Sequence, residues 1–430
     1  MQISFTYPDV PAVEIPDSNL LAVLQPARVE PSQSVEQLVQ EALDHPVGTQ
    51  TLERQLSSGS RILILVDDIT RQTPAARLLP EILRRVELAG CPRHNLRILV
   101  AAGTHARMSR EEVTKKLGEQ TPARYEVHLH HWREEDKLQE IGTAPDGTPI
   151  RVNRMLSEAD FIIGVGMIVP HRVMGFTGGS TIVQPGVSGP QITGYTHWQS
   201  ALFAGHEILG IADNPVRREV EQIARLAGLR FIVNVVMDAE ERVLHVIAGD
   251  PVAAHRQGAE HSRRIYGVPQ PRLADIVIAE SFPADYDLWQ AAKGIYSSEL
   301  AVAEGGVVIL VTPCPHGVSD EHPEVEALGY HGLEAVKKMV EEKAVTDLVA
   351  AAHLVHVGRV IRDRARGVMV SPGIAPPVQR HLGFEHASTP QKALERAFEL
   401  AGRSAGVVVL RHGGDVLPLL ATTAVAASAS

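Results

Sequence analysis

The stretch RILILVDDITRQTP, residues 61–74, decides the fold. It opens on a run of aliphatic, partly β-branched residues of strand length, ends that run on the carboxylate pair Asp67-Asp68, and passes through Arg71 to Pro74, a residue suited to a helix start. From Ala75 to Ala89 the pattern is helical. LRILVAAGTH at 96–105 returns to a strand, and Ser109-Arg-Glu-Glu112 has the form of a capping box that opens another helix. Strand, helix, strand, helix in short succession is the sequence form of βαβ units on a mostly parallel sheet.

Working outward, further strands are expected at Tyr125–His130, Asp160–Val165, Arg230–Val236 and Arg242–Ile247, with a helix from Pro251 to Tyr266. Upstream, the first 55 or so residues are polar with scattered proline and suggest an extended entry plus one helix around Val35–Leu43. Downstream, GVPQPRLAD, Gly267–Asp275, has two prolines and no periodicity, which places a boundary there. A second α/β series follows, with strands at Ile276–Glu280, Val307–Pro313, Gly367–Ser371 and Gly406–Leu410. The organisation expected is therefore a domain over 1–267, a second over 268–420, and a disordered small-residue tail over 421–430.

A chain of 430 residues is too long for one core, at roughly 150 residues per domain. With 44% hydrophobic and 21% charged residues, wholly disordered and collagenous chains are excluded. Lys+Arg number 41 against 51 Asp+Glu, the wrong sign for a chain that neutralises nucleic-acid phosphates. Two cysteines, Cys91 and Cys314, cannot build a disulfide scaffold or a Cys-rich zinc site, which fits a reducing, cytoplasmic setting. MQISFTYPDV is no secretory leader, and no apolar run reaches the roughly 18 residues of a membrane span. Aromatic residues are only 4%, yet there are 20 histidines, which raises the question of which are chemical.

Parallel sheets present ligand groups beyond the carboxyl ends of their strands. After the first strand, Arg71 close to Asp67 and Asp68 would make a directional clamp for a carboxylate or phosphate; the alternative is a helix cap beside a surface arginine. After the second, Gly103-Thr104-His105 places a histidine behind a glycine that allows a tight turn, in a catalytic or merely structural role. The third segment is the richest. It runs from Pro170-His171 through Gly175, Gly178-Gly179-Ser180-Thr181 and Pro185-Gly186 to His197-Trp198. Glycines this dense suggest backbone N–H groups free to cradle a phosphate, or else a plain surface loop. The segment lacks the lysine of a Walker loop and the spacing of a dinucleotide fingerprint. Later, Gln290 and Lys293 lie three apart on one helix face, where they could hold a carboxylate or simply be solvated.

Other features carry less. His128 and His130 alternate on one strand face without a third metal ligand, His353 and His356 lack the glutamate of a zinc-protease helix, and Cys314 beside His316 is a weak thiol-catalyst candidate.

Together, DDITRQTP, AAGTH, the PH…GFTGG…PG run with His197, and the QAAK helix resemble the lactate racemase family, over residues 1 to 420. Members of that family use a nickel-pincer nucleotide. The resemblance implies a large N-terminal and a smaller C-terminal α/β domain with the active site in the cleft between them. It implies racemisation or epimerisation of a small 2-hydroxy carboxylate, with Cα–H leaving as hydride to the cofactor and returning to the other face. On that basis His105 and His171 would be the two acid/base groups, His197 the nickel ligand, and Arg71, Gln290 and Lys293 the holders of the substrate carboxylate and hydroxyl. Asp68 would orient its neighbours; Thr70, Thr73, Gly178, Gly179, Ser180 and Thr181 would lie against the nucleotide. Proteins of cofactor synthesis are possible partners.

One position departs from the pattern. The family places a lysine two residues after the glycine pair and forms a thioamide with the pincer; here that residue is Thr181, and no lysine lies between Lys137 and Lys293. The cofactor would then be held without a covalent bond. The alternatives are a non-catalytic relative that binds or carries the nucleotide, or a hydrolase or lyase using the three histidines for another metal.

Overall fold

The structure, a computed structural model, describes residues 1–105 and 107–421. Strand Ile62–Asp67 is buried at every position, which a strand achieves only when both faces of its sheet are covered. It sits inside a six-stranded sheet whose spatial order is Val243–Gly249, Leu229–Met237, Phe161–Met167, Ile62–Asp67, Leu96–Ala101, Glu126–Leu129. All neighbours are parallel except the edge strand Val243–Gly249. Helix Ala75–Leu88 covers one face with Leu78, Leu79, Ile82, Leu83 and Val86, spaced three and four apart. Ser109 caps helix Arg110–Leu117 with the reciprocal Glu112 bond that the sequence calls for.

The second sheet is six-stranded and parallel throughout, in the order Phe384–His386, Arg366–Val370, Val302–Val311, Ala274–Glu280, Val407–Leu410, Leu20–Leu24. Alternation along Ala274–Glu280 divides its side chains between two cores. Val277 and Ala279 pack with the helices of one face, and Ile276 and Ile278 pack with Ile3, Phe5 and Ile15 on the other. Its last strand is a surprise. Leu20–Leu24 falls in the stretch whose sequence suggests an extended entry, yet it pairs with Val407–Leu410 near the far end of the chain, a partner that no local pattern announces. The mixed α/β architecture with mostly parallel sheets is as expected from the alternation of elements. The proposed tail, from Thr422 on, lies outside the described residues. Among the described residues no helix is long and apolar enough to cross a membrane.

Candidate active site

Three neighbouring strands of the first sheet, Leu96–Ala101, Ile62–Asp67 and Phe161–Met167, deliver His105, Asp68 and His171 from their carboxyl ends. Gly103, at φ +57°, turns the chain toward His105. His171 stands in a tight hairpin, with Pro170–His171 antiparallel to Gly175–Phe176. These side chains border two adjoining chambers. The inner one is lined also by Gly178, Thr181, His197, Tyr296, His353 and His356. The outer one is lined by Thr70, Asp285, Asp287, Asp320, His322 and Asp415 among others. Asp68, Arg71, His105, His171, Gln290 and Lys293 line both, so they stand where the chambers meet.

The two histidines at the junction are held in opposite ways. His105 Nδ1 lies 2.8 Å from Asp68 Oδ2, and Thr70 Oγ1 donates to Asp68 Oδ1 at 2.7 Å. Burial alone would raise the Asp68 pKa, but His105, Thr70 and Arg71 hold it down at about 2. The ionised carboxylate keeps the proton on His105 Nδ1 and leaves Nε2 with a lone pair when the ring is neutral. His171 Nδ1 instead accepts from the Val173 and Met174 amides, both at 3.3 Å, so its neutral ring carries the proton on Nε2. Burial, then the charges of Arg71 and Lys293, push the His171 pKa well below its usual value.

Helix Leu288–Glu299 starts at Asp287, whose carboxylate accepts from the Gln290 amide at 2.8 Å. One turn on, Lys293 Nζ donates to Gln290 Oε1 at 2.9 Å, which joins the two side chains expected to share a face. Burial and the nearby Arg71 lower the Lys293 pKa to about 8. The Arg71 guanidinium has no hydrogen bond or salt bridge among the described residues and lines both chambers, as a group waiting for an anion would.

His197 lies on helix Pro190–Ala201 and lines only the inner chamber. Its Nδ1 donates to the Thr193 carbonyl at 2.8 Å, which fixes the tautomer that leaves Nε2 free as a ligand atom. Burial is the main cause of its lowered pKa of about 4, so the ring is neutral and able to ligate near pH 7.

The glycine-rich loop is built from beneath by Arg217. This fully buried guanidinium donates to the carbonyls of Met174, Phe176 and Gly178. At Gly178, φ is +75°, and a Cβ would meet Ile168 Cγ1 at 2.6 Å and the Met167 carbonyl at 2.8 Å. The structure departs here from the phosphate-cradle expectation. The run leads into a single 3-10 turn, Gly179–Ile182, and the Gly179 amide donates to Asn234 Oδ1 at 2.7 Å instead of remaining free. Thr181 lines the inner chamber, with its hydroxyl donating to the Gly178 carbonyl at 3.0 Å. Gly179, Ser180 and Thr73 line neither chamber; Thr73 Oγ1 donates to Asp67, which also pairs with Lys116 at 2.8 Å.

Sequence reasoning passed over several wall residues. Trp289 is stacked between His322 and His353, with centroid distances of 3.9 and 4.1 Å, and His353 Nδ1 faces the Tyr296 hydroxyl at 2.8 Å. His353 and His356 lack a zinc-protease glutamate, and their signal in the sequence is two histidines within the otherwise apolar LVAAAHLVHVG. The remaining weak candidates stay structural. His130 bonds the Ser188 carbonyl while His128 pairs with Glu126, and burial pushes the Cys314 thiol up to about 12.

Comparison with known proteins covers most of the chain. The model of the lactate racemase N-terminal domain matches residues 9–206, and that of the lactate racemase C-terminal domain matches 270–417. A lactate racemase of Lactiplantibacillus plantarum is 29% identical over 419 residues, 94% of this chain and 96% of the relative. One from Thermoanaerobacterium thermosaccharolyticum is 30% identical over 315 residues, 72% of this chain and 74% of the relative. The solved lactate racemase apoprotein from that organism superposes with a TM-score of 0.86 at 25% identity, covering 97% of this chain and all of that one. A Thermotoga maritima protein shares the fold, with a TM-score of 0.73 at 23% identity over 91% of this chain and all of that one.

Proposed function

Because the chain belongs to the lactate racemase family, we propose that it is an isomerase that racemises or epimerises a 2-hydroxy acid with a nickel-pincer nucleotide held non-covalently. The observation that carries this reading is the junction of the two chambers, where two imidazoles of opposite tautomer stand beside an unpaired guanidinium and an ammonium. The inner chamber suits the cofactor. His197 Nε2 is a free neutral nitrogen donor of the kind Ni(II) accepts, and Gly178 and Thr181 of the glycine-rich loop line the same chamber. Thr181 has no amine, so the hold is left to His197 and to hydrogen bonds from the chamber wall. When bound, the pincer nucleotide supplies a reversible acceptor for the Cα hydride.

The chain's own residues do the rest. Arg71 and Lys293 anchor the substrate carboxylate, and the Gln290 amide, its oxygen engaged by Lys293, donates to the substrate from its nitrogen. His105 Nε2 takes the α-hydroxyl proton, with Asp68 stabilising the imidazolium that results. His171 serves the opposite face. In the tautomer its backbone bonds select, it presents Nε2–H to that face, and a carboxylate between Arg71 and Lys293 offsets the two charges that disfavour its protonated form.

The test is metal analysis and a near-UV to visible absorbance scan of protein produced together with the cofactor-synthesis proteins, followed by loss of optical activity of a single lactate enantiomer. Nickel, a chromophore and racemisation are expected, with H197A losing nickel and H105A and H171A keeping it while inactive. A colourless, nickel-free protein would overturn the reading.

A further inference from the structure

Beyond the junction, the polar side chains of the outer chamber are mostly hydrogen-bond acceptors, set among apolar ones such as Ile69, Met108, Val169 and Pro283. Glu112, Asp285, Asp287, Asp320, Glu321 and Asp415 line it, and its one additional cation, Arg107, is paired with Glu134. Glu112 and Asp287 also cap helices and Glu321 pairs with Arg133, whereas the Asp320 and Asp415 carboxylates have no hydrogen bond or salt bridge among the described residues. A second observation points the same way. The His322 side chain is only 2% exposed, its Nδ1 donates to Asp347 at 3.1 Å, and its Nε2 has no partner among the described residues while the residue lines this chamber. Burial holds Asp285, Asp287 and Asp415 above the ordinary carboxylate pKa.

Unpartnered acceptors at Asp320, Asp415 and His322 Nε2 call for a ligand that brings donors. Arg71 and Lys293 at the chamber's inner end fix where a substrate carboxylate sits, so the rest of the molecule extends into the outer chamber. A methyl group would leave these acceptors to water. A second carboxylate would meet a wall of its own sign. Hydroxyl groups would each donate one hydrogen bond, and the C–H face of such a tail has an apolar platform in Tyr286, which is 57% exposed and stacked by one face on His316 at 3.9 Å. Thr70, Gln72 and Ser319 add neutral partners along the same wall.

We infer that the outer chamber receives the polyhydroxylated tail of an aldonic acid, a 2-hydroxy acid of several carbons, and turns away dicarboxylates. The inference rests on the assignment of Arg71 and Lys293 as the carboxylate anchor. Calorimetric titration of the full chain with gluconate, lactate, malate and an ω-amino 2-hydroxy acid tests it. Gluconate should bind at least tenfold more tightly than lactate, with malate weakest. D285N/D320N should weaken gluconate at least fivefold, leave lactate unchanged and improve malate. Tightest binding of lactate, malate or the amino acid would overturn the inference, as would no binding of gluconate or a double variant with unchanged affinities. The anchor is tested apart: R71A should weaken every acid, and if it weakened none the anchor would fail, while lactate racemisation by the holoenzyme would stand whichever tail is preferred.

Discussion

Asp68 Oδ2 and His105 Nδ1 lie 2.8 Å apart, and the carboxylate is held at a pKa of about 2 despite its burial. Asp68 is therefore ionised throughout the working range, and His105 cannot move its neutral proton to Nε2 without losing that bond. Asp68→Asn turns an acceptor-only group into one that also presents N–H toward Nδ1. We expect kcat/KM to fall by about 10²- to 10⁴-fold, the scale found when a histidine's orienting carboxylate is made an amide, with the cofactor absorbance retained. A D68N enzyme with the wild-type rate would remove the orienting role.

Lys293 sets the alkaline side of the pH profile. Burial and Arg71 bring its pKa to about 8, so the ammonium is present below that pH and lost above it. Carboxylate binding should weaken as pH rises through about 8, and kcat/KM should bend downward there, since that ratio reports the free enzyme. Lys293→Arg keeps its charge and should shift the bend beyond the measurable range. A wild-type profile with no bend on the alkaline side, or the same bend in K293R, would show that another group titrates.

The part of the site legible in the sequence is the part fixed by local geometry. His105 and Asp68 follow aliphatic runs whose strand character is plain from residue type, and a parallel sheet puts such positions at its binding edge. Gln290 and Lys293 are legible because a helix brings residues three apart together. What was not legible depends on contacts distant in sequence. Strand Leu20–Leu24 has its only partner at Val407–Leu410 among the described residues, and the Gly179 amide is satisfied by Asn234, 55 residues on. The column His322, Trp289, His353 joins three separate segments. Thr73, placed against the nucleotide by family resemblance, faces Asp67 instead, because a hydroxyl beside a buried carboxylate is more stable bonded to it than turned to a chamber.

Arg217 offers a stability test. It is fully buried, burial lowers its pKa to about 9, and it donates to the carbonyls of Met174, Phe176 and Gly178. Arg217→Met fills similar space but leaves those carbonyls without a donor. Relief of the buried charge offsets part of the loss, so we expect about 3–5 kcal/mol of destabilisation, read as a lower urea midpoint. The glycine-rich loop should loosen with it, weakening cofactor retention even where the protein remains folded. A midpoint within error of wild type would mean that water replaces the guanidinium without cost.

Thr181 stands where the family resemblance implies a lysine, and a lysine can be put there. The hydroxyl donates to the Gly178 carbonyl at 3.0 Å and the residue lines the inner chamber, so Thr181→Lys gives up one loop bond, at a cost of about 1 kcal/mol, and places an amine on the chamber wall. When T181K is made together with the cofactor-synthesis proteins, intact-mass measurement should show an adduct that survives denaturation, whereas wild type should release its chromophore in urea. Covalent retention removes the dissociation equilibrium, so T181K should also keep activity on dilution that wild type loses. No adduct on T181K, with the chromophore present in wild type, would mean that the loop points this position away from the cofactor. An adduct on wild type would mean that another nucleophile has taken over, and non-covalent retention would be wrong.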